Sequence, residues 1–265
     1  MKKNLFLASL LCLASFSANA EFQVEMRGNL SLGERDDQDI NSTLGAMSIY
    51  FEAVDTSNGA LREAAFLNKS SNVTITGFSD KPNQNNGIDS FNAAASIRYV
   101  TSESNRIIEL TGGRGSTDGI NDRGFFGLGL GTYISDNAEV VASFEKFSSG
   151  GRFGVDLHAY HDVNPDTGSG FAYDLFFGSI DRPGLDNSSV SYGAGWTYYL
   201  NKQLGFSLDL GFESFSKDRE VVSYGLGVDY FINEFISLTA AFTSSNDEIF
   251  DDSLDTFIIS GSVRF

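Results

Sequence analysis

Residues 257–265 read FIISGSVRF. Phe257, Ile259, Gly261, Val263 and Phe265 share one parity, and Ile258, Ser260, Ser262 and Arg264 take the other. Successive side chains of a β-strand point to opposite faces, so a period of two marks a strand whose faces meet different media. Residues 22–32 (FQVEMRGNLSL) repeat the pattern, with Phe22, Val24, Met26, Gly28, Leu30 and Leu32 set against Gln23, Glu25, Arg27, Asn29 and Ser31. There the match to period two is complete.

Working outward, the same reading gives 14 strands: 22–32, 43–54, 71–79, 89–100, 106–114, 124–134, 140–148, 151–161, 170–180, 189–200, 205–215, 221–231, 235–244 and 256–265. Most have the length that a tilted strand needs to cross a hydrocarbon layer. After odd strands come polar, mostly acidic segments such as GERDDQD and SDKPNQNNG, and after most even strands short turns such as SDNA and NKQ. That asymmetry predicts an all-β, transmembrane, antiparallel up-and-down β-barrel with long outer loops, short periplasmic turns and both termini in the periplasm. Residues 55–70 (DTSNGALREAAFLNKS) break the rule, carrying Ala64-Ala65-Phe66-Leu67 on the short-turn side. Counting them as a strand gives an odd total, so a periplasmic turn with one helical turn, or a bent strand start, is preferred; 12 and 16 strands are the alternatives.

Aromatic residues on the apolar parity fall into two groups. Phe91, Phe126, Phe153, Phe177, Tyr192, Phe212, Tyr224, Phe242 and Phe257 lie at outer strand ends, and Phe51, Tyr99, Phe171, Tyr198, Phe206, Tyr230 and Phe265 at periplasmic ends. Two aromatic girdles on one face match two headgroup layers. The composition agrees, because 24 Phe and 10 Tyr beside only 3 Pro suit pleated surfaces and unbroken ladders.

The first 20 residues read as a secretory signal peptide: Lys2 and Lys3, an apolar core over 5–16, and Ala18-Asn19-Ala20 before Glu21. Cys12 follows Leu11, where a lipoprotein signal needs a small residue, so no lipid anchor is expected. Cleavage near Ala20 leaves no cysteine, and therefore no disulfide. It also removes two of the 18 basic residues, leaving 16 against 35 acidic and a formal charge of -19. So acidic a chain repels nucleic acid, and no later apolar run is long enough for a membrane helix.

The strand FIISGSVRF resembles the C-terminal recognition signal of bacterial outer-membrane barrels, with Phe257, Gly261, Val263 and Phe265 carrying the likeness. Residues 60–75 (ALREAAFLNKSSNVTI) resemble the segment after the second strand in the general bacterial porin family of gammaproteobacteria. The resemblance implies an outer-membrane location in a Gram-negative envelope, with lipopolysaccharide, phospholipid and the barrel-assembly machinery as partners. It implies no cofactor, and homotrimers are possible in such a family.

The second parity is then the lumenal wall. Within the strands it carries Glu25, Glu52, Glu109, Glu145, Asp156, Asp174, Asp209, Glu213 and Asp229 against Arg27, Arg98, Arg152 and Arg264, with His158 beside them. Nine acids against four arginines leave an excess of five negative charges. Interspersed glycines, among them Gly127, Gly129, Gly131, Gly193, Gly195, Gly211, Gly225 and Gly227, are expected to leave open volume. A charged wall concentrates counter-ions, so the reading is a passive channel for small hydrophilic solutes or ions, preferring cations. The alternative is that the carboxylates pair with the arginines or merely solvate the lumen. Residues 115–123 look too short to fold far inside, which leaves constriction to Tyr50, Tyr133, Tyr160, Phe176 and Tyr199.

No enzyme is expected. Only His158 and His161 offer imidazole bases, and three residues apart on one strand they face opposite sides. They make no zinc set either. Asp36, Asp37, Asp39, Asp247, Glu248, Asp251 and Asp252 invite divalent-cation bridging to lipopolysaccharide, but fit no calcium-loop spacing and read better as solvated charge. The rival function is a structural or surface-interaction barrel without transport, and an outer-membrane hydrolase comes third.

Overall fold

The alternation closes into a cylinder. The computed structural model describes residues 21–265 except 36–37, 83–89, 118–119, 149, 182–187, 216–218 and 248–251, so the expected signal peptide lies outside the described residues. Fourteen strands run β1 (Glu21–Arg35), β2 (Gln38–Asp55), β3 (Asn72–Pro82), β4 (Ser90–Val100), β5 (Arg106–Thr117), β6 (Ile120–Ser135), β7 (Ala138–Phe147), β8 (Gly150–Asn164), β9 (Ser169–Asp181), β10 (Ser189–Tyr199), β11 (Leu204–Phe215), β12 (Arg219–Asn233), β13 (Ile236–Asp247) and β14 (Asp252–Arg264). Each pairs antiparallel with the next, and β14 returns to β1. Closure removes every sheet edge, as hydrocarbon demands. The even count puts both termini on one rim, which the outer-membrane arrangement makes periplasmic.

The outward face follows the predicted parity. Leu128, Leu130, Leu226, Leu238 and Ile259 are exposed there, as are the girdle aromatics Phe91, Phe126 and Phe257 at one end and Phe51, Tyr99 and Tyr230 at the other. Two expectations need correction. Around the polar segments after β1, β5 and β11 the strands run on: Arg35 pairs with Gln38, Thr117 with Ile120 and Phe215 with Arg219. Backbone pairing is indifferent to side-chain polarity, so these ladders continue past the apolar band. Residues 115–117 and 120–123 accordingly extend the wall.

The second correction is Phe22. The N–H groups of Gln23 and Val24 both donate to the carbonyl of Phe265, and the β1–β2 register jumps from Phe22↔Val54 to Val24↔Ile49. A bulge of this kind turns a strand's facing locally. Phe22, read as outward, is therefore inside, only 2% exposed and edge-on to Tyr50 at 5.4 Å.

The segment between β2 and β3 folds into the barrel, not away from it. It forms a 3-10 turn, Leu61–Glu63, and a short helix α1, Ala64–Leu67. Ala and Leu are strong helix formers, and Asn68 stops the turn by donating from its side chain to the carbonyl of Ala64 at 2.7 Å. Ala60, Leu61 and Ala64 are almost wholly buried. Three apolar clusters form around the segment: Phe22, Tyr50, Val54 and Ala64; Ala60, Tyr160, Ala172 and Tyr199; and Val100, Ile107, Tyr133 and Val141 with Phe66 packed on them. The apolar run that breaks strand alternation thus finds its burial inside the periplasmic mouth.

Candidate functional site

The inward segment is anchored all round the mouth. The Leu61 N–H donates to the carbonyl of Lys202 at 2.9 Å, and Ala60 N–H to Tyr160 Oη at 3.2 Å. Tyr133 Oη donates to the Phe66 carbonyl at 2.9 Å, while the Phe66 ring stacks on Tyr133 and meets His158 edge-on at 4.3 Å. Lys69 Nζ reaches Asn105 Oδ1 at 3.2 Å and Asp136 Oδ1 at 3.0 Å, and Arg62 reaches Asp229 Oδ1 at 3.2 Å. Arg264 Nη1 donates to the Leu61 carbonyl at 2.8 Å. These partners come from the β4–β5 turn, β6, the β6–β7 turn, β8, the β10–β11 turn, β12 and β14, and the Phe22–Tyr50–Val54 cluster on β1 and β2 completes the circle. A chain touching the wall on every side crosses the lumen.

At its centre stands Glu63, a buried carboxylate with both oxygens engaged. Oε1 accepts from Tyr199 Oη at 2.5 Å, and Oε2 lies 2.8 Å from His158 Nε2. The other ring nitrogen, Nδ1, lies 2.7 Å from Asp174 Oδ1. Beside the segment, Glu25 accepts from Arg264 Nε at 2.7 Å and from Arg27 Nη2 at 2.6 Å, and the Arg264 guanidinium sits 4.5 Å from the centre of the Phe22 ring. Arg264 and Glu25 were expected on the pore wall; they face the lumen but are buried under the segment.

Beyond the segment the wall divides. Arg98 on β4 bonds both Glu109 and Glu139, and Arg152 lies 3.7 Å from Glu145, so these carboxylates are paired. A cavity of about 310 Å³ opens here, lined by Arg98, Glu109, Glu139, Ser143, Glu145 and Asp156. Glu213 accepts from Ser189 at 2.6 Å, and Asp229 is taken by Arg62 and Thr239. Asp156 and Asp209 have no basic partner among the described residues, and Asp174 has only His158. The register Asp174↔Gly195↔Asp209 sets two of these carboxylates at one height across β9 to β11. Glu52 is exposed in the irregular stretch where β2 bulges.

The expected open volume over the glycines is partly filled. The Phe176 ring occupies the space at Gly193, where a Cβ would sit 2.3 Å from it, and Gly131 gives its space to Val141. These glycines let neighbouring side chains lie along the wall. The tyrosines expected to constrict the lumen, Tyr50, Tyr133, Tyr160 and Tyr199, are instead buried against the segment. Sequence reasoning missed Arg62, Glu63 and Glu139. A charged pair inside an apolar run that must be buried was the available signal for the first two. Of the acidic loop residues, Asp36, Asp37, Glu248 and Asp251 lie outside the described residues, and Asp247 bonds Arg219 at 2.7 Å.

A sequence profile of the family described as "Putative general bacterial porin" matches residues 1–171. The chain belongs to that porin family. No curated protein sequence matches it. Among solved structures, the outer membrane protein Omp33 of Acinetobacter baumannii is similar over 93% of this chain and 100% of its own, with 19% identity and a TM-score of 0.67. The NanC porin (10% identity, TM-score 0.47, 90% of this chain and 100% of its own) and the KdgM porin (10%, 0.43, 90% and 99%) are more distant. The Omp33 likeness supports the closed barrel. Membership of the family makes this an outer-membrane porin, a channel fold whose exposed apolar parity faces lipid.

Proposed function

We propose that this porin passes small hydrophilic solutes with a preference for cations, and that residues 56–70 close its periplasmic end in the state described. The carrying observation is the wall of β8, β9 and β11, where Asp156 and Asp209 face the lumen without a basic partner among the described residues and Asp174 shares only His158. Uncompensated carboxylates in a confined aqueous path raise the local cation concentration. The pairing of Glu25, Glu109, Glu145 and Asp229 with arginines reduces that bias elsewhere, so selectivity rests on fewer groups than the nine acids on the wall.

A second reading, a barrel without transport, is favoured by one observation: the segment meets the wall all round the mouth. Planar-bilayer recording separates the two. A variant with residues 57–69 replaced by a short Gly/Ser turn is expected to conduct in steps and to show a cation-directed reversal potential in a potassium chloride gradient. Persistent silence from folded protein of both forms removes the channel, and an anion-directed potential removes the acidic-wall argument.

The same reading includes export with signal-peptide cleavage after Ala20, seating among lipopolysaccharide and phospholipid, and delivery by the barrel-assembly machinery through the strand ending at Phe265. Mass spectrometry of the mature N-terminus tests the cleavage site. A homotrimer is part of the proposal only as a family expectation, and native mass spectrometry in detergent decides it.

A further inference from the structure

We infer that Glu63, His158 and Asp174 form a proton-operated latch that holds the 56–70 segment in the periplasmic mouth and releases it as the solution becomes alkaline. The inference rests on the porin reading above.

The argument is one of valence. His158 Nδ1 lies 2.7 Å from Asp174 Oδ1 and Nε2 lies 2.8 Å from Glu63 Oε2, both hydrogen-bond distances. A neutral imidazole carries one N–H, and an ionised carboxylate can only accept. Two carboxylates therefore cannot both be satisfied by a neutral ring. The arrangement holds one additional proton, on the ring or on a carboxyl, and the count is the same either way. With that proton the triad carries a net charge of about -1, and without it about -2, with a lone pair turned toward a carboxylate. The lost contact is the one that matters, since Asp174 and His158 belong to adjacent wall strands while Glu63 belongs to the segment.

The surroundings sharpen the effect. On β7, Glu139 pairs with His158 in the ladder and is bonded by Arg98. On β8 itself, Asp156 and Tyr160 share the lumenal face. On the segment, Arg62 is turned to Asp229, and Phe66 covers the ring edge-on. Tyr133 on β6 bonds the Phe66 carbonyl, and Tyr199 on β10 donates to the oxygen of Glu63 that His158 does not use. No lysine or arginine bonds Glu63 or Asp174 among the described residues. The proton shared within the triad is thus what ties Glu63 to the wall, and it is required for closure. The closed state binds one proton more than the released state, so closure weakens as pH rises.

The test is single-channel recording of the full-length mature barrel in planar bilayers from about pH 6 to about pH 9, the range in which histidine switches operate. Heat-dependent gel migration confirms that each variant is folded. Wild type is expected to increase its open fraction with pH, by at most about tenfold per pH unit, the slope for one proton. Glu63→Gln is the discriminating variant. Its amide can donate to Nε2 while Nδ1–H donates to Asp174 and Tyr199 donates to the amide oxygen, so a neutral histidine satisfies every contact. It is expected to stay closed across the range. A merely structural glutamate predicts the reverse, a looser segment.

The variant with 57–69 replaced conducts at every pH if the porin reading is right. A pH-independent wild type beside that conducting variant overturns the latch and leaves the porin standing, and so does a Glu63→Gln protein that opens with pH as wild type does. Silence of the replaced variant takes down the porin reading, and the latch with it.

Discussion

Arg264 Nε donates to Glu25 Oε2 at 2.7 Å across the seam where the last strand meets the first, and the same guanidinium donates to the Leu61 carbonyl of the inward segment. One residue from the end of the chain thus joins barrel closure to the closing of the mouth. Both members of the pair are buried, so removing one leaves a desolvated charge.

Arg264→Met is therefore expected to destabilise the folded barrel by somewhat less than the about 3–5 kcal/mol of breaking a buried pair from one side, because Arg27 still bonds Glu25. Urea unfolding in detergent micelles measures it. The double variant Glu25→Gln/Arg264→Met should lose less than the single one, because no buried carboxylate is left facing an apolar methionine. Equal losses would mean that the guanidinium acts through packing on Phe22 and Phe231 and not through its charge.

The outward half of this architecture was legible because lipid and water differ strongly, and every lipid-facing position is held to that contrast. Leu128, Phe126 and Ile259 could be assigned from parity alone. Phe22 could not, since a bulge between Phe22 and Val24 is a backbone event that leaves no mark on a run still alternating in sequence. The reach of β1 and β2 beyond the apolar band is hidden for a related reason: polar residues such as Glu34 and Asp39 still pair in the ladder. The lumenal partners were least legible. Which wall residue meets Glu63 depends on the heights of β8, β9 and β10 relative to one another, and register is not written in the pattern of any single strand.

Gly59 tests whether the segment's path is needed for closure. Its φ of +65° is left-handed, and a Cβ there would meet Leu67 at 2.5 Å and Tyr160 at 3.1 Å. Gly59→Val is expected to cost the docked segment about 1–2 kcal/mol from backbone conformation alone, with the clash in addition. Conductance at neutral pH should rise while the heat-modifiable gel shift of the barrel stays in place. A closed channel from this variant would show that the segment tolerates another path into the mouth.

Leu128 on β6 and Ser143 on β7 face opposite sides of one wall, since Ser143 pairs with Gly129, the residue next to Leu128. Arginine on the lipid face near the midplane of an outer-membrane barrel costs about 2–4 kcal/mol, so Leu128→Arg should lower the unfolding free energy by that amount in phospholipid vesicles. Ser143→Lys places its charge in the cavity beside Glu109, Glu145 and Asp156 and should change stability little. Reversed sensitivities would invert the assignment of the two faces.

The selectivity argument has a magnitude of its own. A carboxylate about 7 Å from the ion path in a medium close to water attracts a cation by about 0.6 kcal/mol and repels an anion by as much, about a sevenfold bias in their ratio for each charge. In the background lacking 57–69, Asp209→Asn should reduce the cation-to-anion permeability ratio by about that factor, and Asp156→Asn/Asp209→Asn by about its square if the sites act independently. Glu109→Gln should do less, because Arg98 already opposes that carboxylate. Screening supplies the control: the Debye length falls from about 10 Å at 0.1 M salt to about 3 Å at 1 M, so the ratio should collapse toward unity as potassium chloride is raised. A ratio that ignores ionic strength would place the discrimination in pore size, and Asp156 and Asp209 would then be part of the wall without steering what passes it.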